Sequence, residues 1–251
     1  QLVAWCIVPF DAKKRGPAER VEMLKRLGLK RVAYDWRTQH VKEFEEEILQ
    51  YNKHGIEYFA FWSVHEEAFR LFKKHKIHPQ IWQTLPNPKP DSQELQVVEA
   101  TKAILPLVEK TKELGCKLGL YNHGGWGGEP ETMAEIARRL QSKDIGIVYN
   151  FHHGHGHLER MPGAFAAMRP YLTCVNLNGT TPGGPKVLPL AAGERDAEIL
   201  SMIEDSGYSG PLGILDHRME TDAEESLRQN LVGLQALLEE RGDEEALKTY
   251  A

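Results

Sequence analysis

Short apolar runs alternate with longer amphipathic stretches along the whole chain. The apolar runs are bounded by turn residues and are typical of buried strands, whereas the stretches between them have the 3.6-residue period of helices. Eight strands are predicted, at residues 2–9, 31–36, 56–62, 79–84, 117–122, 145–150, 173–178 and 212–216. Helices are predicted between them at residues 18–27, 41–54, 66–75, 93–114, 130–141, 196–206 and 222–240. Strands that alternate with helices indicate βα units and a parallel sheet.

The number of units and the length of the chain favour a closed barrel over an open, doubly wound sheet. The chain has 251 residues, which matches the size of an eight-stranded α/β barrel, about 250 residues. No break in composition divides it, so residues 1–251 are predicted to form one domain with a polar C-terminal tail at 241–251. We therefore predict the α/β class and a single (β/α)8 TIM barrel.

Charge and hydropathy narrow the range of partners. The formal net charge is −5 with both signs interspersed, and without a basic stripe no nucleic-acid partner is expected. No apolar run approaches the roughly 18 residues of a membrane span, so no membrane partner is expected either. We expect a soluble protein, and its compartment stays open. It would be cytoplasmic, or exported if a signal peptide was removed before Gln1. The oligomeric state stays open.

The ends of the predicted strands carry the chemistry-bearing side chains. In a parallel barrel all C-terminal strand ends meet at one face, where active sites lie. The side chains expected there as substrate-binding groups are Asp35, Arg37, Trp62, His65, Trp82, Tyr121, Asn150, Asn176, Asn178 and His217. Aromatic rings cover the apolar faces of a sugar, while amides and charges bind its hydroxyls. This mixture predicts a pocket for a small-molecule carbohydrate.

Four histidines lie within the short segment 152–157, directly after the predicted strand at 145–150. Histidine titrates near neutral pH and binds metals, so the segment indicates either acid/base chemistry or a metal site. His153 is expected to point into the pocket, and strand alternation would turn His152 to the other side. His155 and His157 are expected on the following loop, covering the site or in solvent.

At these positions the chain resembles the xylose isomerase-like barrel family, which includes sugar-phosphate isomerases and epimerases and relatives of type-2 apurinic endonucleases. The segments that carry the resemblance are LGLYNHGG (118–125), NFHH (150–153), CVNLNG (174–179) and GYSGPLGILD (207–216). No single motif is diagnostic, but their order and spacing are fairly specific and span nearly the whole chain.

The resemblance implies a divalent-metal site built from Glu, Asp, His and Glu on the fifth to eighth strands. The corresponding residues here are Tyr121, Asn150, Asn176 and Asp216. Only Asp216 is a carboxylate, and neutral amides and a phenol are poor ligands for hard cations. The inherited site is therefore expected to be lost or rebuilt. A rebuilt site would use His123, His153 and Asp216 to hold zinc, manganese or magnesium, and no other cofactor is predicted.

The leading hypothesis is a carbohydrate-active enzyme that moves a proton next to a carbonyl group. It would act as a sugar epimerase or isomerase, or as a lyase or hydratase on a keto-sugar. The predicted catalytic residues are His153 and His123, either of which would be the base or the acid, with Asp216 orienting a histidine or acting as a second acid/base group. Two alternatives stay open: a degenerate barrel that binds a sugar without turnover, and a metal-dependent hydrolase that uses the rebuilt site. Endonuclease activity ranks last because the chain has no basic face.

Overall fold

Eight parallel strands close into a barrel in the order of the chain. The computed structural model describes residues 1–89, 92–215 and 217–248. Within these residues the strands are β1 (Leu2–Trp5), β2 (Arg31–Tyr34), β3 (Glu57–Trp62), β4 (Gln80–Gln83), β5 (Leu118–Tyr121), β6 (Ile145–Asn150), β7 (Leu172–Leu177) and β8 (Leu212–Leu215). The first strand pairs with the last, with Leu2 beside Leu212. The predicted fold class, a single (β/α)8 TIM barrel, is confirmed.

Helices connect the strands on the outside of the barrel. Those in the described residues are α1 (Pro17–Arg26), α2 (Phe44–His54), α3 (Glu66–His75), α4 (Gln93–Glu113), α5 (Pro130–Leu140), α6 (Met161–Met168), α7 (Asp196–Asp205), α8 (Ala223–Arg241) and α9 (Glu244–Leu247). The pattern did not predict α6, because its short sequence is apolar on most sides and contains a proline and a glycine, which hide the amphipathic period. The short α9 lies in the segment predicted as a tail. None of the helices in the described part of the chain is long and apolar enough to cross a bilayer.

Large aromatic side chains fill the inside of the barrel, and small residues on neighbouring strands make room for them. The indole of Trp82 is fully buried, with its ring centre 4.9 Å from that of Trp5 and 5.8 Å from that of Tyr121. A Cβ atom at Gly119 would lie 3.0 Å from the Trp82 ring and 2.6 Å from Val148. Glycine at this position therefore leaves the space that the indole of Trp82 occupies. Trp82 forms the floor beneath the mouth of the barrel.

A buried ion pair joins the first two helices. Arg20 on α1 and Glu47 on α2 are almost completely buried, and two N–H groups of the guanidinium donate to the carboxylate over 2.9 and 2.6 Å. Arg20 also donates to Glu43 at 3.3 Å and to the backbone carbonyl of Arg15. Because burying a charge is costly unless it is paired and hydrogen-bonded, these bonds are what make this burial tolerable.

Candidate active site

A narrow pocket opens at the C-terminal ends of the strands, inside the mouth of the barrel. The residues that line it are Trp5, Cys6, Phe10, Asp35, Arg37, Trp62, Tyr121, His123, His153 and His217. Seven of these were predicted from strand ends, and the structure brings them together. The enclosed space is about 50 Å³, well below the roughly 300–1,000 Å³ of typical small-molecule sites. A ligand the size of a monosaccharide would therefore need side chains at the rim to move.

Rings in contact with one another form a nearly continuous rim around this mouth. The ring of Phe10 lies 3.8 Å from that of His217, and His152 follows at 4.7 Å from His217. His153 is 4.6 Å from His152, and His123 is 4.4 Å from His153, all measured between ring centres. The loops after β1, β8, β6 and β5 supply these side chains in turn, so the rim is held by packing between loops.

The two ends of the row of rings meet aromatic and charged groups. Trp62, at the end of β3, lies 5.7 Å from the ring of His123 and 4.6 Å from that of Tyr121. At the other end, the guanidinium of Arg37 lies over Phe10 at 5.3 Å. Aromatic faces and a cation thus border the pocket, and Asp35 contributes a carboxyl group to its lining.

The sequence reasoning missed three of the lining residues, Trp5, Cys6 and Phe10. The first apolar run was predicted to continue to residue 9, whereas β1 ends at Trp5. The chain then turns sharply, because Cys6 has a positive φ of 61°. Had the strand been ended at Trp5, the same rule of strand ends would have identified Trp5 and Cys6. Phe10 lies farther along the loop and carried no signal of its own.

The histidine-rich segment does not behave as an extension of the strand. β6 ends at Asn150, and residues Phe151–His153 form a turn of 3₁₀ helix, which the Asn150 side chain caps by accepting from the backbone N–H of His152 at 3.0 Å. Alternation therefore stops at Asn150, and the expectation that His152 faces away was wrong. Its ring lies between His153 and His217, and its Nδ1 donates to the carbonyl of Lys186 at 3.2 Å.

The last histidine of the segment has a structural role. His157 was expected to cover the site or to lie in solvent, but it is buried. Its Nδ1 is hydrogen-bonded to the hydroxyl of Tyr149 at 2.9 Å, and its Nε2 lies 3.4 Å from a carboxylate oxygen of Glu129. His157 thus holds the loop after β6 in place through these contacts and does not line the pocket.

Asp35 differs from the other charged residues of the pocket because it is buried without full hydrogen bonding. The residue is 3% exposed, and its Oδ1 atom has no hydrogen-bond partner among the described residues. Burial raises the pKa of Asp35 to about 7, and the guanidinium of Arg37 and the backbone amides of Asp35 and Val8 oppose this rise. A carboxyl group that titrates near neutrality in a cleft is a candidate for acid/base chemistry.

His153 is shifted in the direction that keeps it neutral. Burial lowers the pKa of His153 to about 3, and the nearby imidazoles of His152, His123 and His217 add to the effect. At neutral pH this ring is uncharged, with one N–H donor and one acceptor nitrogen. The role predicted from the sequence, a base with a pKa near 7, does not match this environment.

Three predicted substrate-binding residues lie outside the pocket. His65 caps the start of α3 by accepting from the backbone N–H of Glu67 at 3.2 Å. Trp82 is buried below the pocket. Asn178 is also buried and donates to the carbonyls of Gly179 and Lys186, over 2.8 and 3.0 Å, which shapes the loop after β7.

Two further predicted residues, Asn150 and Asn176, lie at depth in the barrel and do not line the pocket. Asn150 donates from Nδ2 to the hydroxyl of Tyr121, and burial holds the pKa of that hydroxyl well above its usual value. The Oδ1 atom of Asn176 accepts from the Cys174 thiol at 3.5 Å. A Cβ atom at Gly213 would lie 1.9 Å from that same oxygen, so glycine leaves room for the amide.

The described residues do not fit the divalent-metal site that the resemblance implies. Tyr121 and Asn150 bind each other, both are neutral, and Asn150 Oδ1 is already used by a backbone N–H. Of the rebuilt set, Asp216 lies outside the described residues, which leaves His123 and His153 as two neutral-nitrogen donors. Among the residues that the structure describes, no group of three or more His, Cys, Asp or Glu side chains is placed to hold a metal ion.

The chain matches known proteins by its structure and not by its sequence. No known family profile matches the chain, and no curated protein matches it by sequence. Solved structures do match. The IolI protein, solved with a bound zinc atom, has a TM-score of 0.74 and 13% identity, with 96% of this chain and 98% of that chain covered.

Two further structures show the same architecture. A xylose isomerase domain-containing protein from Salmonella typhimurium has a TM-score of 0.72 and 14% identity, with 94% of this chain and 97% of that chain covered. The 3-keto-D-glucoside 4-epimerase YcjR from E. coli has a TM-score of 0.69 and 12% identity, with 94% and 98% covered. The chain therefore shares its overall fold, the TIM barrel, with these solved structures over nearly its whole length.

Proposed function

We propose that this protein is a carbohydrate-active enzyme that moves a proton next to a carbonyl group. It would work as a sugar epimerase or isomerase, or as a lyase or hydratase on a keto-sugar. One observation carries the proposal: a buried carboxyl group, two neighbouring imidazoles and aromatic walls meet in one pocket at the mouth of the barrel. Proton transfer at carbon needs a positioned base together with donors for the oxygen on which negative charge develops.

The walls of the pocket support a sugar as the ligand. Trp62 and Trp5 are indoles at the edge of the cavity with ring centres 6.4 Å apart, and such surfaces cover the apolar faces of sugar rings. Arg37 and His217 supply N–H donors at the rim. The enclosed space must widen for a monosaccharide, so binding would move rim side chains such as Arg37, which is exposed.

The solved structures of the same fold support this class of chemistry. They include the 3-keto-D-glucoside 4-epimerase already described, a D-psicose 3-epimerase solved with D-tagatose, and a probable 3-DHS dehydratase, AsbF, from Bacillus anthracis. IolI holds zinc, but the neutral side chains at the inherited metal positions are poor ligands. We therefore propose that proton transfer here depends on the chain's own acid and base groups.

Solvent exchange tests this function directly. The protein would be incubated in D₂O with D-fructose, D-tagatose and a 3-keto-D-glucoside, and deuterium at each sugar carbon would be followed by NMR. We expect incorporation at a carbon next to the carbonyl, unchanged by a chelator, in protein that contains less than one metal ion per chain.

Each alternative has its own result in this experiment. A sugar that binds without exchange or turnover would support a degenerate binding barrel. Stoichiometric metal, together with activity lost to the chelator, would support a metal-dependent hydrolase or a metal-assisted isomerase and would contradict the proposal.

A further inference from the structure

Asp35 is a buried, ionisable pocket residue whose placement is costly unless it has a use. Its carboxyl group is buried, it lines the cavity, and Oδ1 lacks a hydrogen-bond partner among the described residues. An unsatisfied buried polar atom costs about 1–3 kcal/mol. Arg37, two positions along the chain, forms no ion pair with it within the described residues, because the guanidinium lies over Phe10 instead.

The closed barrel places Asp35 across the mouth from His153. Strands follow one another around the barrel in chain order, so β6 lies four strands from β2 in either direction. Asp35 follows β2 directly, and His153 follows β6 through the 3₁₀ turn. A ligand in the pocket therefore has a carboxyl group on the β2 side and the imidazole of His153 on the β6 side.

We propose that Asp35 removes and returns the proton on the substrate carbon, while an imidazole N–H of His153 hydrogen-bonds to the carbonyl oxygen from the opposite side. This assignment rests on the proposed function and differs from the roles predicted from the sequence, where Asp35 was a substrate-binding group and His153 an acid or a base. It makes the pocket a site for a carbon acid, a sugar or keto-sugar whose carbonyl oxygen points toward the His153 side.

The step balances without any co-reactant. The Asp35 carboxylate forms an O–H bond as the C–H bond next to the carbonyl breaks. The C–H electron pair becomes the carbon–carbon double bond of an enolate, and the carbonyl π pair moves to oxygen, where the His153 N–H stabilises it. In the return step Asp35 gives its proton back to the same carbon, which exchanges the hydrogen there, or to the former carbonyl carbon. In the second case the hydroxyl proton on the first carbon passes to the enolate oxygen, and the first carbon becomes the new carbonyl carbon.

The properties of the two groups match these roles. Because burial raises the pKa of Asp35 to about 7, both of its protonation states are populated near neutral pH, which is what a proton carrier needs. The ring of His153 lies 4.4 Å from that of His123 and 4.6 Å from that of His152 at the rim of the pocket, and an imidazole N–H is a known way to polarise a carbonyl. The other titratable or charged groups around the pocket are Arg37, Cys6, Tyr121, His123 and His217.

The test compares Asp35→Asn with Asp196→Asn. Asp196 is also buried, and burial also raises its pKa, but it accepts from the backbone N–H groups of Thr180 and Gly193 at 2.7 and 2.9 Å and lies outside the pocket. We expect Asp35→Asn to slow deuterium exchange into D-fructose, D-tagatose or the 3-keto-D-glucoside by about 10²–10⁴-fold, the usual contribution of a general base. Asp196→Asn should leave the exchange rate unchanged. Sugar binding, followed by the fluorescence of Trp5 and Trp62, should persist in both variants.

A second measurement needs no substrate. The infrared difference between the wild-type protein and Asp35→Asn isolates the carboxylic acid C=O band of Asp35, and its titration in D₂O should have a midpoint near neutrality.

The outcomes separate the two proposals. Exchange by the wild-type protein that survives in Asp35→Asn would overturn the assignment of Asp35 and leave the proposed function standing. If the wild-type protein exchanges none of the three sugars, the proposed function fails. In that case the assignment of Asp35 as the base fails with it. Where the wild-type protein does exchange, a midpoint of Asp35 in the ordinary aspartate range would overturn its assignment, whereas a midpoint near neutrality together with slow exchange in Asp35→Asn would support it.

Discussion

Two carboxyl groups in this barrel are buried to nearly the same extent, and their surroundings differ. Glu47 is 0% exposed and accepts two hydrogen bonds from Arg20. Asp35 is 3% exposed, and one of its oxygens has no partner among the described residues. Glu47 lies between α1 and α2 and does not line the pocket at the mouth of the barrel, whereas Asp35 does.

The difference separates burial that supports the fold from burial that supports chemistry. A paired charge behaves as part of the packing, because its hydrogen bonds are satisfied and no ligand can reach it. An unpaired carboxyl group at a cavity destabilises the native state, and sites of this kind are where functional residues with shifted pKa values occur. Three variants test this contrast, in addition to the exchange experiments.

The largest effect on stability is expected from Glu47→Gln. The change leaves the Arg20 guanidinium buried without its main counter-charge, which should lower the free energy of unfolding by about 3–5 kcal/mol. The value should fall near the lower end, because Glu43 remains 3.3 Å from Arg20. Urea denaturation measures it, and Glu46→Gln, an exposed position on the same helix, is the matched control. Equal stability of the two variants would contradict a structural role for the pair.

Asp35→Asn is expected to stabilise the protein, by a smaller amount than Glu47→Gln destabilises it and in a way that depends on pH. The pKa of Asp35 rises from 3.8 to about 7 on folding, so the wild-type protein binds an extra proton in the native state between these values. Its stability therefore falls as pH rises from about 4 to about 7, and the variant lacks this loss. The free energy of unfolding of Asp35→Asn, measured relative to that of the wild type, should therefore increase by about 2–4 kcal/mol from pH 4 to pH 8. Denaturation curves at the two pH values check this, and a difference that does not change with pH would mean that Asp35 has an ordinary pKa.

The smallest effect on stability is expected from Tyr149→Phe. This variant tests whether His157, in the histidine-rich segment, is buried to support the fold or to support chemistry. The hydroxyl of Tyr149 is bonded to the buried His157, so its removal should cost about 1–2 kcal/mol of unfolding free energy. Exchange into the sugars should not change, because neither residue lines the pocket. A loss of exchange at unchanged stability would instead place His157 in the function of the site.

The sequence predicted the barrel well because the information is repeated along the chain. Each strand carries an apolar run and each of the seven predicted helices an amphipathic period, so an error in one element leaves the topology intact. Where the pattern was weak the prediction failed, as it did for α6. Strand ends were less certain: ending the first strand at residue 9 rather than at Trp5 hid one wall of the pocket.

The site was only partly predictable, because its chemistry depends on distances between loops. Strand ends indicated Asp35, Arg37, Trp62, Tyr121, His123, His153 and His217, all of which line the pocket. They could not show that Asp35 is buried beside an empty space or that His153 is surrounded by other imidazoles. Those facts set the protonation states, and they arise from residues far apart in the chain. The expected carboxylate, Asp216, lies outside the described residues.

The small volume of the pocket bears on the rate of binding as well as on the shape of the ligand. With about 50 Å³ of space among the packed rings, a sugar bound as we propose would have to wait until Arg37 and its neighbours move. Association rates would then report the opening of the rim rather than diffusion. Compounds of only a few heavy atoms would reach Asp35 ahead of any sugar, so they make suitable first chemical probes of this site.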